Sequence, residues 1–183
     1  MSLSQEKIYT SEDYWNLPEG VRAELINGHI YNMAPPSRIH QELVSQFTKI
    51  IGNYIDSHNG CCKVYPAPFA VNLDANDKDW VEPDISVVCN PGKLTDKGCS
   101  GAPDLIIEIL SPTSRKRDYI TKNSLYSDAG VREYWIVDPK KEITVVYHLE
   151  DDAAPTVYPF NSPVSFRIFP ELTVTISNLL VNS

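Results

Sequence analysis

The run Pro103-Asp104-Leu105-Ile106-Ile107-Glu108-Ile109-Leu110 constrains this chain more than any other stretch. Its five aliphatic residues make it as apolar as a strand covered on both faces. An ionised carboxylate in such a strand costs several kcal/mol unless a partner or ligand meets it. Glu108 interrupts the run, so the fold has to supply that partner. Asp84 repeats the situation in EPDISVVC, where it shares a strand face with Ser86 and Val88. If the two strands pair side by side, the carboxylates of Asp84 and Glu108 come within a few ångström of each other. They then repel, so either one is protonated or a cation lies between them. Hard oxygen ligands favour Mg²⁺ or Mn²⁺ over softer metals.

The surrounding pattern predicts the elements that would frame this pair. TSEDYWNL offers an N-cap and early acids, hence a short helix. Asn27-Gly28 sits between two apolar-rich arms and supplies the positive φ of a two-residue hairpin, which sets Glu24 opposite Tyr31. APPSRIH reads as a rigid loop. HQELVSQFTKIIGNYID is the clearest helix, with Leu43, Val44, Phe47, Ile50, Ile51, Tyr54 and Ile55 on one stripe. His40 extends that stripe backwards, so it should point inward. Three strand candidates follow, KVYPAPFAVNL, EPDISVVC and PDLIIEIL, with loops at Asn76–Asp79 and Asn90–Gly101. SPTSRKRDYITKNSLYSDAG reads as a capped helix ending at Gly130, EYWIVDP and ITVVYHL as strands, and the tail as one or two more strands and a terminal helix.

The helix after Glu108 brings complementary charge. Asp118 and Lys122 are four apart, hence neighbours on one face. A lysine that reaches a metal-bound water can orient it or stabilise charge developing on a phosphate. Two acids, a lysine, and Glu24 and His40 at the rim form an inventory for metal-assisted phosphodiester hydrolysis. Each residue also has a plainer reading. Asp84 can cap a turn at strand entry, and Glu108 can pair with a structural cation such as an arginine. Lys122 can be a solvated helix residue with Asp118 as its surface partner. His40 can help cap its helix. Ser111, Thr113 and Ser114 read as helix-start chemistry, and His29, His58 and His148 receive no role.

Composition narrows the class. With 183 residues, 42% hydrophobic and 22% charged, the chain is long enough for one packed domain spanning 1–183. Sixteen basic against twenty-four acidic residues give a net charge of −8, which argues against a general electrostatic grip on nucleic acid but leaves room for a local basic patch. No run approaches eighteen apolar residues and the amino terminus is polar, so the expectation is a cytoplasmic chain without a membrane span. Cys61, Cys62, Cys89 and Cys99 form no CxxC, so reduced thiols are expected rather than a zinc site or disulfide framework.

The blocks ELINGHIYNMAPPSRIHQ, VEPDISVV, GAPDLIIEILSPTS and the segment from Arg117 through GVREYWIVDP resemble the Uma2 family of endonucleases. That family is placed in the PD-(D/E)XK restriction-endonuclease-like superfamily, and the likeness runs from about Tyr9 to about Leu149. The resemblance implies an α/β (α+β) fold. Its αβββαβ core has a mixed sheet flanked by helices, here with an N-terminal hairpin and extra C-terminal strands. In that scheme Asp84 matches the acid of PD and Glu108 the acid of (D/E)XK, while leucine stands at 110 where the superfamily usually has lysine. The family looks as though it moves this lysine to the following helix, where Lys122 stands. Glu24 resembles a further acid of its opening block, and His40-Gln41 match its HQ pair.

The expectation is therefore a Mg²⁺- or Mn²⁺-dependent endodeoxyribonuclease. Asp84 and Glu108 would hold the metal, Lys122 would position water, and Glu24 would assist. Arg115, Lys116 and Arg117 would meet phosphates, although a solvated helix start reads as well there. DNA is the expected partner, and the resemblance implies a homodimer, because nucleases of that superfamily often need two sites for two strands. The alternatives are a catalytically inactive binding or assembly module on the same scaffold, and a small-molecule hydrolase using the same metal.

Overall fold

The computed structural model describes residues 7–74, 78–111, 117–151 and 153–180, with backbone alone at 117 and 118. In chain order, α1 (Ser11–Trp15) leads to a hairpin of β1 (Ala23–Ile26) and β2 (His29–Asn32), then to α2 (Arg38–Ser57). Short strands follow: β3 (Lys63–Pro66), β4 (Val71–Asn72), β5 (Trp80–Val81), β6 (Ile85–Val88), β7 (Leu94–Thr95) and β8 (Gly98–Ser100). After β9 (Leu105–Ile109), a π-helical turn at Arg117–Lys122 runs into α3 (Asn123–Ala129). Then come β10 (Glu133–Asp138), β11 (Ile143–His148), β12 (Thr156–Pro159), β13 (Pro163–Ser165), β14 (Thr173–Thr175) and α4 (Ile176–Leu179).

The central sheet has the order β12-β11-β10-β9-β6-β3. β9 and β10 run parallel, and the other neighbours run antiparallel. A parallel pair needs a crossover, which α3 supplies. Elements α2, β3, β6, β9, α3 and β10 thus reproduce the αβββαβ order within a mixed α+β fold. The second sheet, β2-β1-β5-β4-β8-β7, covers one face of the first with very short strands.

All five residues of β9 are buried, as its apolar run requires. Leu105, Ile107 and Ile109 face Leu43, Phe47 and Ile51 of α2 and Phe166 and Val174 of the tail. Ile106 and Leu110 face Leu125 and Tyr126 of α3 and Val71, Val81 and Cys99 of the second sheet. Each such side chain contributes about 1.5–3 kcal/mol by leaving water. The turn geometry also follows from sequence: Asn27 and Gly28 adopt φ of 50° and 75°, and Glu24 pairs with Tyr31.

The structure corrects several local expectations. The loop before α2 ends at Ser37, whose hydroxyl accepts from the His40 amide, so the helix begins at Arg38. KVYPAPFAVNL is two strands in different sheets, because β3 pairs with β6 while β4 joins β5 and β8. Asn90–Gly101 holds the β7–β8 hairpin rather than loop alone. The tail adds three strands, not one or two. Cys62 and Cys89 form a disulfide, against the expectation of reduced thiols. Spacing along the chain could not show this. The register Lys63↔Val88 places the two cysteines opposite each other one step further along the β3–β6 pair. Among the described residues no helix is long and apolar enough to cross a membrane.

Candidate active site

Asp84 and Glu108 meet through sheet register. β6 and β9 pair antiparallel with Ile85 opposite Ile107, and the next step along that register sets Asp84 opposite Glu108. Opposite residues share a face, so both acids turn toward one cavity. This cavity measures about 120 Å³, room for several waters. Glu24, His40, Gln41, Ser111 and Lys122 also line it.

Each acid is held by specific donors. Asp84 Oδ2 accepts from the Ile109 amide at 2.7 Å and lies 3.0 Å from His40 Nε2. Oδ1 has no hydrogen-bond partner among the described residues. His40 Nδ1 is buried without a hydrogen-bond partner among the described residues. Glu108 Oε1 accepts from Lys122 Nζ at 2.8 Å and from the Tyr126 hydroxyl at 2.7 Å. Lys122 Nζ lies 2.8 Å from Glu24 Oε1 as well. Glu24 in turn accepts from the Glu82 amide at 3.2 Å, which ties the hairpin to the strand entry at Pro83. Lys122 is 3% exposed, so its solvated reading does not hold. Its position follows from packing, since Lys122, Leu125 and Tyr126 stand at i, i+3 and i+4 and all point inward.

Burial, and then the negative charge of Glu108, push the Tyr126 hydroxyl well above the ordinary tyrosine range. It therefore stays protonated and keeps donating to Glu108. Sequence reading missed Tyr126, although its spacing of four from Lys122 was visible. It also missed Arg22, which donates to Glu82 through Nε at 3.1 Å and Nη2 at 2.7 Å. No local pattern signals that pair, because the two residues flank β1 and β5, lie 60 apart in sequence and meet only through the pairing of those strands.

The structure thus brings together Asp84, Glu108, Lys122, Glu24, His40 and Gln41. The proposed phosphate contacts Arg115 and Lys116 lie outside the described residues, as do the side chains of Arg117 and Asp118. Among the described residues, no group of three or more His, Cys, Asp or Glu side chains is close enough to hold a metal ion. Two carboxylates are nevertheless a fitting donor set for Mg²⁺, which usually takes one or two and completes its shell with waters and phosphate oxygens. The unpartnered Asp84 Oδ1 meets that requirement.

A model of the Uma2 family, described as "Putative restriction endonuclease", matches residues 11–177. The uncharacterized protein slr1290 of Synechocystis sp. is 26% identical over 144 residues, which cover 77% of this chain and 74% of that protein. The crystal structure of a "putative nuclease belonging to DUF820" from Anabaena variabilis is similar with a TM-score of 0.75 and 24% identity. The match covers 94% of this chain and 97% of that one. At that identity the likeness carries the fold.

Proposed function

Because this chain belongs to the Uma2 family, whose description is of restriction-endonuclease type, we propose that it is a divalent-metal-dependent endonuclease that hydrolyses phosphodiester bonds of DNA. The observation that carries this reading is the convergence of Asp84, Glu108 and Glu24 with Lys122 in one cavity. Asp84 and Glu108 would hold Mg²⁺ or Mn²⁺, which when bound polarises a phosphoryl oxygen and makes bound water more acidic.

The chain's own residues do the positioning. His40 and the Ile109 amide hold Asp84 by Oδ2, at the wall of the cavity. Tyr126 and Lys122 both donate to Glu108 Oε1 and fix its rotamer. Glu24 holds Lys122 from the other side, so the ammonium is set before substrate arrives. Phosphoryl transfer depends mainly on such preset charge and geometry. The alternative reading, a binding module that has lost catalysis, draws on the net charge of −8 and on Leu110. The direction of Lys122 separates the two readings, and its contact with Glu108 favours the enzyme.

Calorimetric titration with Mn²⁺ and Mg²⁺, beside a Glu108→Gln variant, tests the site. Binding by the native chain that is lost in the variant is the expected result, and equal binding by both proteins rejects the ligand assignment. Asp84→Asn should abolish Mn²⁺-dependent cleavage of plasmid DNA, and an unchanged rate would remove Asp84 from the mechanism.

A further inference from the structure

Arg22 lines the cavity but has no part in the reading above. It continues the β1 ladder, since the Met33 amide donates to its carbonyl at 2.9 Å. Arg22 and Glu24 are two apart and so lie on the same strand face. Nε and Nη2 of the guanidinium both donate to Glu82 Oε2, and Glu82 Oε1 accepts from the Tyr14 hydroxyl at 3.3 Å. Glu82 is buried, whereas the Arg22 side chain is 39% exposed. One edge of the guanidinium is therefore anchored. Nη1 makes no hydrogen bond among the described residues, and its two N–H groups remain for a ligand.

A phosphodiester entering this cavity meets three carboxylates, Glu24, Asp84 and Glu108. Lys122 cannot offset them at the entrance, because it is buried and already held by two of them. Arg22 is the more exposed of these two cations, and its planar fork suits phosphate oxygens. We propose that Arg22 is a substrate-binding residue that grips a non-bridging oxygen of a backbone phosphate on the bound strand. The assignment rests on the endonuclease reading. It goes further by naming the chain's own contact for the nucleic-acid backbone at the cavity mouth.

The test is fluorescence anisotropy with a short fluorescein-labelled DNA duplex in Ca²⁺, for the native full-length chain, Arg22→Gln and Arg22→Lys. Mn²⁺ calorimetry and a thermal melt accompany each protein. Loss of one charge-assisted contact should weaken duplex binding about ten- to a hundredfold in Arg22→Gln. The slope of log affinity against log salt should fall by about 0.9. Arg22→Lys should recover part of the affinity, because it keeps the charge but not the fork. Mn²⁺ affinity should be unchanged, whereas the melt of Arg22→Gln should fall because buried Glu82 loses its cation. Binding is therefore read well below that melt, and Arg22→Lys, which keeps the charge, serves as the folded control. Equal duplex affinity in Arg22→Gln overturns the assignment and leaves the endonuclease reading standing. A parallel loss of Mn²⁺ binding also overturns it, because Arg22 would then act by shaping the acid cluster. If the native chain binds neither Mn²⁺ nor duplex, the endonuclease reading fails and takes this assignment with it.

Discussion

Replacing Lys122 by methionine tests how the acid cluster is held. Methionine keeps most of the side-chain length and removes the ammonium. Glu24 and Glu108 each lose a contact of 2.8 Å to the same nitrogen, and they are 1% and 4% exposed. Removing one partner of a buried ion pair costs about 3–5 kcal/mol, because the remaining charge is left uncompensated. For a chain of 183 residues, each kcal/mol moves the melting temperature by about 2–4 °C, so Lys122→Met should melt about 6–20 °C lower. Urea unfolding can be followed by the fluorescence of fully buried Trp135. The double variant Lys122→Met, Glu108→Gln removes one of the stranded charges and should be more stable than Lys122→Met alone. A loss under about 1 kcal/mol, as expected for a surface pair, would refute the reasoning, as would a double variant whose losses simply add.

Three further outcomes follow from other parts of the molecule. Tyr126 is held neutral when folded but loses its proton near the ordinary tyrosine value when unfolded. The unfolded chain then binds fewer protons, so stability present below about pH 10 is lost as pH rises above it, by about 1.4 kcal/mol per pH unit. Tyr14, raised by burial and then by Glu82, has the same sign. Tyr126→Phe should therefore flatten the alkaline limb of a stability–pH curve from denaturant titrations, and an unchanged slope would count against its buried, protonated state. Gly98 has φ of +133° and an added Cβ would lie 2.0 Å from the Ala70 carbonyl oxygen, so Gly98→Ala should cost about 1–3 kcal/mol or more by urea titration. Glu133 is fully buried and accepts from Trp135 Nε1 and the amides of Arg167 and Ile168, so Glu133→Ala strands three donors. It should lose about 3 kcal/mol or more, and a near-native urea midpoint would show that the tail does not depend on this staple.

What could be read from the sequence was what period and turn chemistry encode locally. The stripe of α2, the Asn27-Gly28 turn and the opposition of Glu24 and Tyr31 each depend on a few adjacent residues. The second sheet was unreadable because several of its strands are two residues long, too short to show alternation. What joins them is long-range pairing, such as Val71 with Val81 and Cys99. The Cys62–Cys89 disulfide and the Arg22–Glu82 pair escaped for the same reason, since both depend on register between distant segments. Lys122 shows a different limit. A lone lysine on a helix is usually solvated, and only the buried acids across from it decide otherwise.

Leu110 explains why the cation comes from a helix. It shares a strand face with Glu108, the position from which a lysine would reach the same acids, yet it is 6% exposed and packs among Leu125 and Tyr126. An ammonium there would sit among apolar side chains unless it found its way back to the carboxylates, at a desolvation cost of several kcal/mol. With leucine in place, that surface fixes the rotation of α3. The same rotation turns Lys122 and the Tyr126 hydroxyl onto Glu108 Oε1. The apolar residue at 110 thus helps to aim the ammonium of Lys122 at Glu108. For the proposed chemistry, what matters is where the nitrogen sits relative to the two acids, not which element carries it. A tripeptide on one strand is therefore too small a unit for reading such a site. The acid must be read together with the helix face that packs across it.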